Sequence, residues 1–223
     1  AVFFTHQDTG YVVGNGGTIL KTVDGGANWI LQVSGVTQNL TSVHFADANT
    51  GFAVGSSGRV LRTLDGGTTW TIQFSGTTLD LRSVYFADPD TGYFSGVSGH
   101  IRKTVNGGTN WTQLTNNINR VITSLAFSDG NNGHAVGYDY GQDGYIYSTT
   151  DGGSSWSVRS ISEEHELYSV QYADANTVFI IGDNGTILRT VVGATAPINN
   201  GPVCEGAPLT LSAPSIPGAQ YLW

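Results

Sequence analysis

Cysteine is almost missing. The 223-residue chain holds one, Cys204, which excludes an internal disulfide framework and any cysteine-based zinc site within it. Basic residues are scarce too: 9 Lys and Arg stand against 17 acids, giving a formal net charge of −8 and an isoelectric point near 4.8. That balance argues against a nucleic-acid partner, because phosphate contacts need clustered Lys and Arg. No run of about 18 apolar residues occurs, so neither a membrane-spanning helix nor direct membrane insertion is expected. Methionine is absent, the chain opens Ala1-Val-Phe-Phe, and it closes on the strand-like Tyr221-Leu-Trp223. Both ends therefore read as cut, with no leader to be sought.

Glycine is what the chain has in quantity, 31 residues, alongside 11% aromatic and only 12% charged side chains. Such a mixture suits short strands joined by tight turns. Self-comparison then dominates. Lys21-Thr-Val-Asp-Gly-Gly-Ala-Asn-Trp29, Arg62-Thr-Leu-Asp-Gly-Gly-Thr-Thr-Trp70, Lys103-Thr-Val-Asn-Gly-Gly-Thr-Asn-Trp111 and Ser148-Thr-Thr-Asp-Gly-Gly-Ser-Ser-Trp156 are copies, their tryptophans spaced by 41, 41 and 45 residues. Ahead of each copy runs a second signature, as in Ser42-Val-His-Phe-Ala-Asp47, Ser83-Val-Tyr-Phe-Ala-Asp88, Ser124-Leu-Ala-Phe-Ser-Asp129 and Ser169-Val-Gln-Tyr-Ala-Asp174, with a looser match at Ala1–Thr5. A third, such as Gly10-Tyr-Val-Val-Gly14 or Gly51-Phe-Ala-Val-Gly55, follows it.

Each unit carries four short strand candidates; in the second they are Ser42–Ala46, Phe52–Gly55, Arg59–Thr63 and Trp70–Ser75. Four strands at this period is the arithmetic of a β-propeller blade. The expected fold is all-β: a propeller of four-stranded blades over residues 1–197, five repeats visible, the last incomplete. The fifth repeat reads Ile187-Leu-Arg-Thr190 but puts Val192 where the acid belongs and Pro197 where the tryptophan belongs.

The T-x-D-G-G-x-x-W pattern has a structural rationale. Asp24, Asp65 and Asp151 accept hydrogen bonds from their own turn, the paired glycines supply backbone angles that a Cβ would penalise, and Trp29, Trp70, Trp111 and Trp156 bury large rings against the blade. Asn106 replaces the acid in the third copy and offers the same acceptor oxygen, so these positions brace turns and no catalytic residue is assigned to them. The cations before the box, Lys21, Arg62, Lys103 and Arg189, are expected to snorkel along the blade edge or pair with local acids.

These residues resemble the Asp-box, or BNR, repeat of sialidases, some xyloglucan hydrolases and sortilin-type receptors. The fuller unit is most similar to the photosystem II stability and assembly factor-like propellers, a family also found as surface modules of bacteria. The sialidase resemblance implies an arginine triad, a Tyr–Glu pair and an F/Y-R-I-P motif, and that motif does not occur here. The assembly-factor resemblance implies a protein-binding surface bearing an arginine patch; most of the seven arginines fall at repeat-equivalent or loop positions.

Residues 198–223 break the repeat and are Pro-rich before alternating at Leu209-Thr-Leu211. They resemble the first strands of an Ig-like or PKD-like module of large secreted proteins, in which Cys204 would pair with a later cysteine; a disordered linker is the alternative. An extracellular or cell-surface location, as part of a secreted bacterial multidomain protein, follows from that resemblance.

Ligands of propellers meet the face opposite the Asp boxes. The turns expected there are minimal except in the fourth unit, where Tyr138-Asp-Tyr-Gly-Gln-Asp-Gly144 is enlarged, and the following crossover Ser162-Glu-Glu-His-Glu-Leu167 is the densest charge run of the chain. Tyr138, Asp139, Tyr140, Asp143, Glu163, Glu164, His165 and Glu166 are the candidate ligand-binding residues, with the tyrosines as platforms for a peptide or glycan. Asp139, Asp143 and Glu163 are a candidate Ca²⁺ set because hard oxygen donors suit that ion; two solvated loops are the alternative. The expected function is a non-enzymatic interaction scaffold holding a protein or glycan. A sialidase- or xyloglucanase-like hydrolase completed by further blades, and an assembly factor for a membrane-protein complex, are the other readings.

Overall fold

The computed structural model describes residues 1–114, 118–139, 143–161 and 165–191. Five antiparallel sheets follow one another along the chain. Blade 1 comprises Val2–Phe4, Gly10–Val13, Ile19–Thr22 and Ile30–Gln32. Blade 2 comprises Leu40–Phe45, Gly51–Gly55, Arg59–Thr63 and Thr71–Gln73, so its first strand starts two residues earlier and its last is shorter than the sequence pattern predicts. Leu81–Phe86, Gly92–Gly96, Ile101–Thr104 and Thr112–Gln113 make blade 3; Val121–Phe127, Gly133–Tyr138, Gly144–Thr149 and Ser157–Ile161 make blade 4. Leu167–Tyr172, Thr177–Gly182 and Ile187–Val191 form a fifth, three-stranded sheet. The proposed linker or Ig-like segment, and Cys204 with it, lies outside the described residues. Among the described residues no helix is long and apolar enough to cross a membrane.

The first strands of blades 2 to 5 pack against one another in sequence, so they line the axis. Each of them is a sheet edge whose outward N–H groups need partners. The serine of the S-V-x-F signature supplies one: Ser42, Ser83 and Ser124 Oγ accept from the N–H of Val84, Leu125 and Val170 on the next blade, at 3.2, 3.3 and 3.2 Å. Thr41 and Thr123 hydroxyls donate to the carbonyls of Leu81 and Leu167 at 2.8 and 2.7 Å. His44 joins them, its Nδ1 accepting from Phe86 N–H at 3.3 Å, and burial pushes its pKa down to about 4.

A repeating clamp holds the flanks of the blades. The phenylalanine of the S-V-x-F signature stacks on the aromatic of the preceding blade's second strand: Phe45 on Tyr11, Phe86 on Phe52 and Phe127 on Tyr93, with ring centroids 4.0, 3.8 and 4.1 Å apart. Tyr11 and Tyr93 hydroxyls then donate to the Asp-box carbonyls of Gly66 and Gly152 in the following blade, at 2.8 and 3.1 Å. Lys21 and Lys103 Nζ donate to those same oxygens at 2.7 and 3.2 Å, while resting 5.6 and 5.2 Å from the Tyr11 and Tyr93 centroids. These cations therefore cross to the neighbouring blade, where the sequence pattern had them running along their own edge or meeting acids. A Cβ on Gly67 or Gly108 would lie 2.8 or 2.7 Å from the ring of Tyr11 or Phe52, and both glycines have positive φ, so the second Asp-box glycine serves the clamp as well as the turn.

The box itself is a closed hydrogen-bond circuit. In blade 2, Thr63 Oγ1 donates to Asp65 Oδ1 at 2.8 Å and accepts from Gly67 N–H at 2.8 Å; Thr69 donates its N–H to Oδ1 and its hydroxyl to Oδ2, at 2.8 and 2.6 Å. Asn106 keeps the shared part, accepting from Asn110 N–H at 2.9 Å through its amide oxygen. Side-chain donors at the fourth residue after the acid, Asn28, Thr69 and Ser155, hold the carboxyls of Asp24, Asp65 and Asp151 down to about 2. Asp47, Asp88, Asp129 and Asp174 each accept two backbone N–H groups, from residues two and three positions on. Seven of the 17 acids are thus turn acceptors, and the net negative charge of the chain is in good part structural.

Two predictions follow from these bonds. Phe86→Ala should cost about 3–5 kcal/mol by emptying the stack, and Tyr93→Phe about 1 kcal/mol by deleting one hydrogen bond, both read from denaturant unfolding. The Asp-box carboxyls have folded pKa values below the unfolded value of about 3.9. Their stabilisation is therefore present above pH ~4 and lost as pH falls toward 2. His44, depressed from about 6.5, withdraws stability earlier, as pH falls from ~6.5 toward 4. The melting temperature should fall in both windows; His44→Gln should make the upper one shallower, a window that burial of His100 and His134 also feeds, and leave the lower one unchanged.

Candidate functional site

On the face away from the Asp boxes, the turns between second and third strands are tied to the crossovers between blades. Gly16 N–H donates to Asn39 Oδ1 and Ser57 N–H to Asp80 Oδ1, each at 2.9 Å, and Asp183 N–H donates to the Glu166 carbonyl at 3.0 Å. Blade 4 departs from this minimal pattern. Its second and third strands run longer than those of blade 3, ending and starting at Tyr138 and Gly144, and the turn between them carries Asp139 and Asp143.

Asp139 organises that turn. Its Oδ2 accepts from Tyr145 Oη at 3.0 Å and its Oδ1 from Asp143 N–H at 3.2 Å, while Asp139 N–H donates to the Asp143 carbonyl at 3.1 Å. Arg120, from the crossover entering blade 4, lays its guanidinium 3.8 Å from the Tyr145 ring centroid with Nε 3.8 Å from Asp139 Oδ2. The charge is thus shared between a carboxylate and a π face.

The enlarged turn and the charged crossover do share one face. Gly144 packs so closely on the His165 carbonyl that a Cβ there would sit 2.3 Å from it, which leaves room for glycine alone. Beside this contact His165 Nδ1 lies 3.5 Å from Asp183 Oδ1, on the second-to-third turn of blade 5. Glu166 Oε2 accepts from Tyr168 Oη at 2.9 Å, and that bond pushes the Tyr168 hydroxyl up to about 12. Tyr138 and Tyr168 meet edge to face, ring centroids 6.4 Å apart.

Of the sequence-predicted set, Tyr138, Asp139, Asp143, His165 and Glu166 are described and lie on these adjoining segments; Tyr140, Glu163 and Glu164 lie outside the described residues. The candidate Ca²⁺ set of Asp139, Asp143 and Glu163 is therefore represented by two members, and the Asp139 carboxylate already receives two donors. Among the described residues no group of three His, Cys, Asp or Glu side chains is placed to hold a metal ion. Arg120, Tyr145, Tyr168 and Asp183 contact these candidate residues and escaped the sequence reading. Asp183 was legible only as part of a minimal turn, and Arg120 only as one of several loop arginines. An open groove of about 460 Å³ between residues 33–38 and Arg59 and Ile72, at the rim of blades 1 and 2, contains none of the predicted residues.

The family described as photosynthesis system II assembly factor YCF48 matches the chain over residues 1–71, 30–117 and 109–195. No curated sequence matches it. Among solved structures, YCF48 bound to a D1 peptide is 21% identical with a TM-score of 0.67, over 85% of this chain and 62% of that one. YCF48 from Cyanidioschyzon merolae is 21% identical with a TM-score of 0.65, over 85% and 66%. An ancestral GH74 enzyme is 19% identical with a TM-score of 0.64, over 86% of this chain and 29% of the enzyme. At these identities the likeness is one of fold, and the chain spans less than two thirds of either YCF48 structure. The comparisons correct one expectation: the extracellular or cell-surface location does not stand, because the family that matches, and the similar solved structures, are those of the photosystem II assembly factor YCF48.

Asp139→Ala should lower stability by about 1–2 kcal/mol, through loss of the Tyr145 bond and the turn brace. Thermal unfolding should register the same loss with added Ca²⁺ as with chelator, since a brace, unlike a ligand, is indifferent to the ion.

Proposed function

We propose that this protein is a non-enzymatic scaffold that holds a peptide segment of a protein partner, from the premise that the chain belongs to the photosynthesis system II assembly factor YCF48 family. The single observation that carries the reading is the cluster at blades 4 and 5: Tyr138, Tyr145 and Tyr168 at strand ends, beside Arg120 and His165 on the adjoining crossovers. Tyrosine supplies large contact area at low entropic cost, and arginine a charged donor fork; both are typical anchors of protein interfaces. A rigid face lowers the ordering cost of binding. A YCF48 structure holds a D1 peptide, which supports a peptide as the ligand class.

Catalysis finds less support. Seven of the 17 acids are committed to turns, and Glu166 and Asp139 already accept hydrogen bonds from tyrosines. The glycoside-hydrolase reading rests on the shared fold with GH74 enzymes, and fold alone does not carry function.

Titration of the chain into a fluorescein-labelled D1 peptide tests the proposal. Saturable binding is expected, weakened about tenfold or more in Tyr168→Ala or Arg120→Ala, as for interface anchors worth over about 1 kcal/mol. Asp65→Asn, in an Asp box, should bind as the parent does. Turnover of xyloglucan or a fluorogenic sialoside, abolished by a single carboxylate substitution, would overturn the non-enzymatic reading.

A further inference from the structure

Two consecutive boundaries between blades are built alike at the rim and differ in one pair of residues. The crossover leaving blade 1 begins Ser34-Gly-Val36, and the one leaving blade 2 begins Ser75-Gly-Thr77. Ser34 and Ser75 hydroxyls donate to the Val36 and Thr77 carbonyls, at 3.4 and 3.0 Å. Those carbonyls press on Gly17 and Gly58 so closely that neither has room for a Cβ. Facing each crossover is the third strand of the next blade. Leu61 and Arg102 hold the same place in it, opposite Ala53 and Phe94 in register, and two residues before them stand Arg59 and His100.

Arg102 staples the second boundary. Its Nη2 donates to the Gly76 carbonyl at 2.8 Å, its Nη1 to the Trp111 carbonyl at 3.1 Å and its Nε to His100 Nε2 at 3.0 Å. Gly76 is half-buried, and a Cβ there would run into the guanidinium. The first boundary has no such staple. Leu61 offers no donor, Gly35 is exposed with nothing within 4 Å of its Cβ position, and the groove of about 460 Å³ lies open between residues 33–38, Arg59 and Ile72.

The bond to His100 depends on protonation. A guanidinium has five donors and no acceptor, so His100 Nε2 presents its lone pair and the ring is neutral. A proton on that nitrogen removes the acceptor that aims the guanidinium and sets two cations against each other. No acid stands by to neutralise the second charge. Residues 74–79 and 94–104 contain none, Asp80 is engaged by the Ser57 N–H, and Lys103 is a further cation, directed to the Gly152 carbonyl of blade 4. The other ring beside His100 is Phe94, stacked with centroids 6.3 Å apart. Burial first, and Arg102 second, push the His100 pKa down.

We propose that His100 and Arg102 form an acid-released latch between blades 2 and 3, closed while His100 is neutral and freeing the Gly76 carbonyl once it is protonated. The released boundary takes the open form of the one before it. Because the closed latch holds His100 neutral, it is complete above the ordinary imidazole value of about 6.5 and is lost as pH falls below that. The latch is independent of the peptide-binding reading, which rests on blades 4 and 5.

Nuclear magnetic resonance of the isotopically labelled full chain, titrated from about pH 7.5 to 4.5 across the imidazole range, tests it. The Gly76 and Thr77 amide signals are expected to move with the same midpoint as the His100 ring. In Arg102→Leu, His100 should bind its proton about tenfold more tightly, since a neighbouring cation and a bond to the neutral ring are both gone. The Gly76 and Thr77 signals of that variant should be displaced already at neutral pH and indifferent to acid. His100→Gln keeps an acceptor oxygen that does not titrate, so those signals should hold their closed positions throughout. Wild-type Gly76 and Thr77 signals that ignore the His100 titration would overturn the proposal. So would an Arg102→Leu chain whose His100 titrates where the wild type does, or a folded His100→Gln chain that still responds to acid. Should His100→Gln fail to fold by circular dichroism, the wild-type and Arg102→Leu titrations decide.

Discussion

The architecture depends on one recurrent contact, the seating of an inner-strand phenylalanine on the aromatic of the preceding blade, beside a cation that, as Lys21 or Lys103, donates to the next Asp-box carbonyl. A four-stranded blade is too small to bury its own faces, and stacking is what gives it a core. The ring stack provides apolar area and the cation and hydroxyl bonds provide registration. A Cβ on Gly67 or Gly108 would run into the Tyr11 or Phe52 ring of the preceding blade, which makes the Asp box an inter-blade element as much as a turn. At the axis the Ser42, Ser83 and Ser124 hydroxyls satisfy the edge N–H groups that close packing of strands would otherwise orphan.

A scaffold knit in this way leaves its loops free to vary at little energetic cost, and blade 4 uses that freedom. Its longer turn is anchored at its two ends by Asp139, through Tyr145 and Asp143. The same acid that suggested a cation ligand is the one that ties Tyr145 and Asp143 together. Tyrosines, an arginine and a histidine are then presented on a rigid support, the condition under which a small contact area yields useful affinity. Membership of the assembly-factor family accords with the proposed role of holding a partner.

The fold was legible because its determinants are local and repeated. T-x-D-G-G-x-x-W specifies a turn within eight residues, and Asn106 already showed that an acceptor, not a charge, was wanted. The candidate face was legible only as a departure from the repeat. Arg120 and Asp183 were not, because each reaches the site from a different blade and neither sits in a distinctive local pattern. Lys21 and Lys103 were read as edge cations for the same reason: their acceptors, the Gly66 and Gly152 carbonyls, are 45 and 49 residues away. The extracellular location failed on another ground, having been inferred from a tail whose composition says little about the family of the propeller before it.

By itself the sequence determined the blade, its four-strand period, the turn chemistry and the repeat at which the pattern changes, since all of these are written in spacings shorter than one unit. Tertiary structure alone decided what those residues do for one another: that a lysine serves the neighbouring blade, that a serine hydroxyl replaces a missing strand partner, and that Asp139 faces a tyrosine and an arginine. The physical reason is that hydrogen bonds and ring stacks act over a few ångströms of space, and in a stacked array the nearest atoms in space lie about one whole repeat away along the chain.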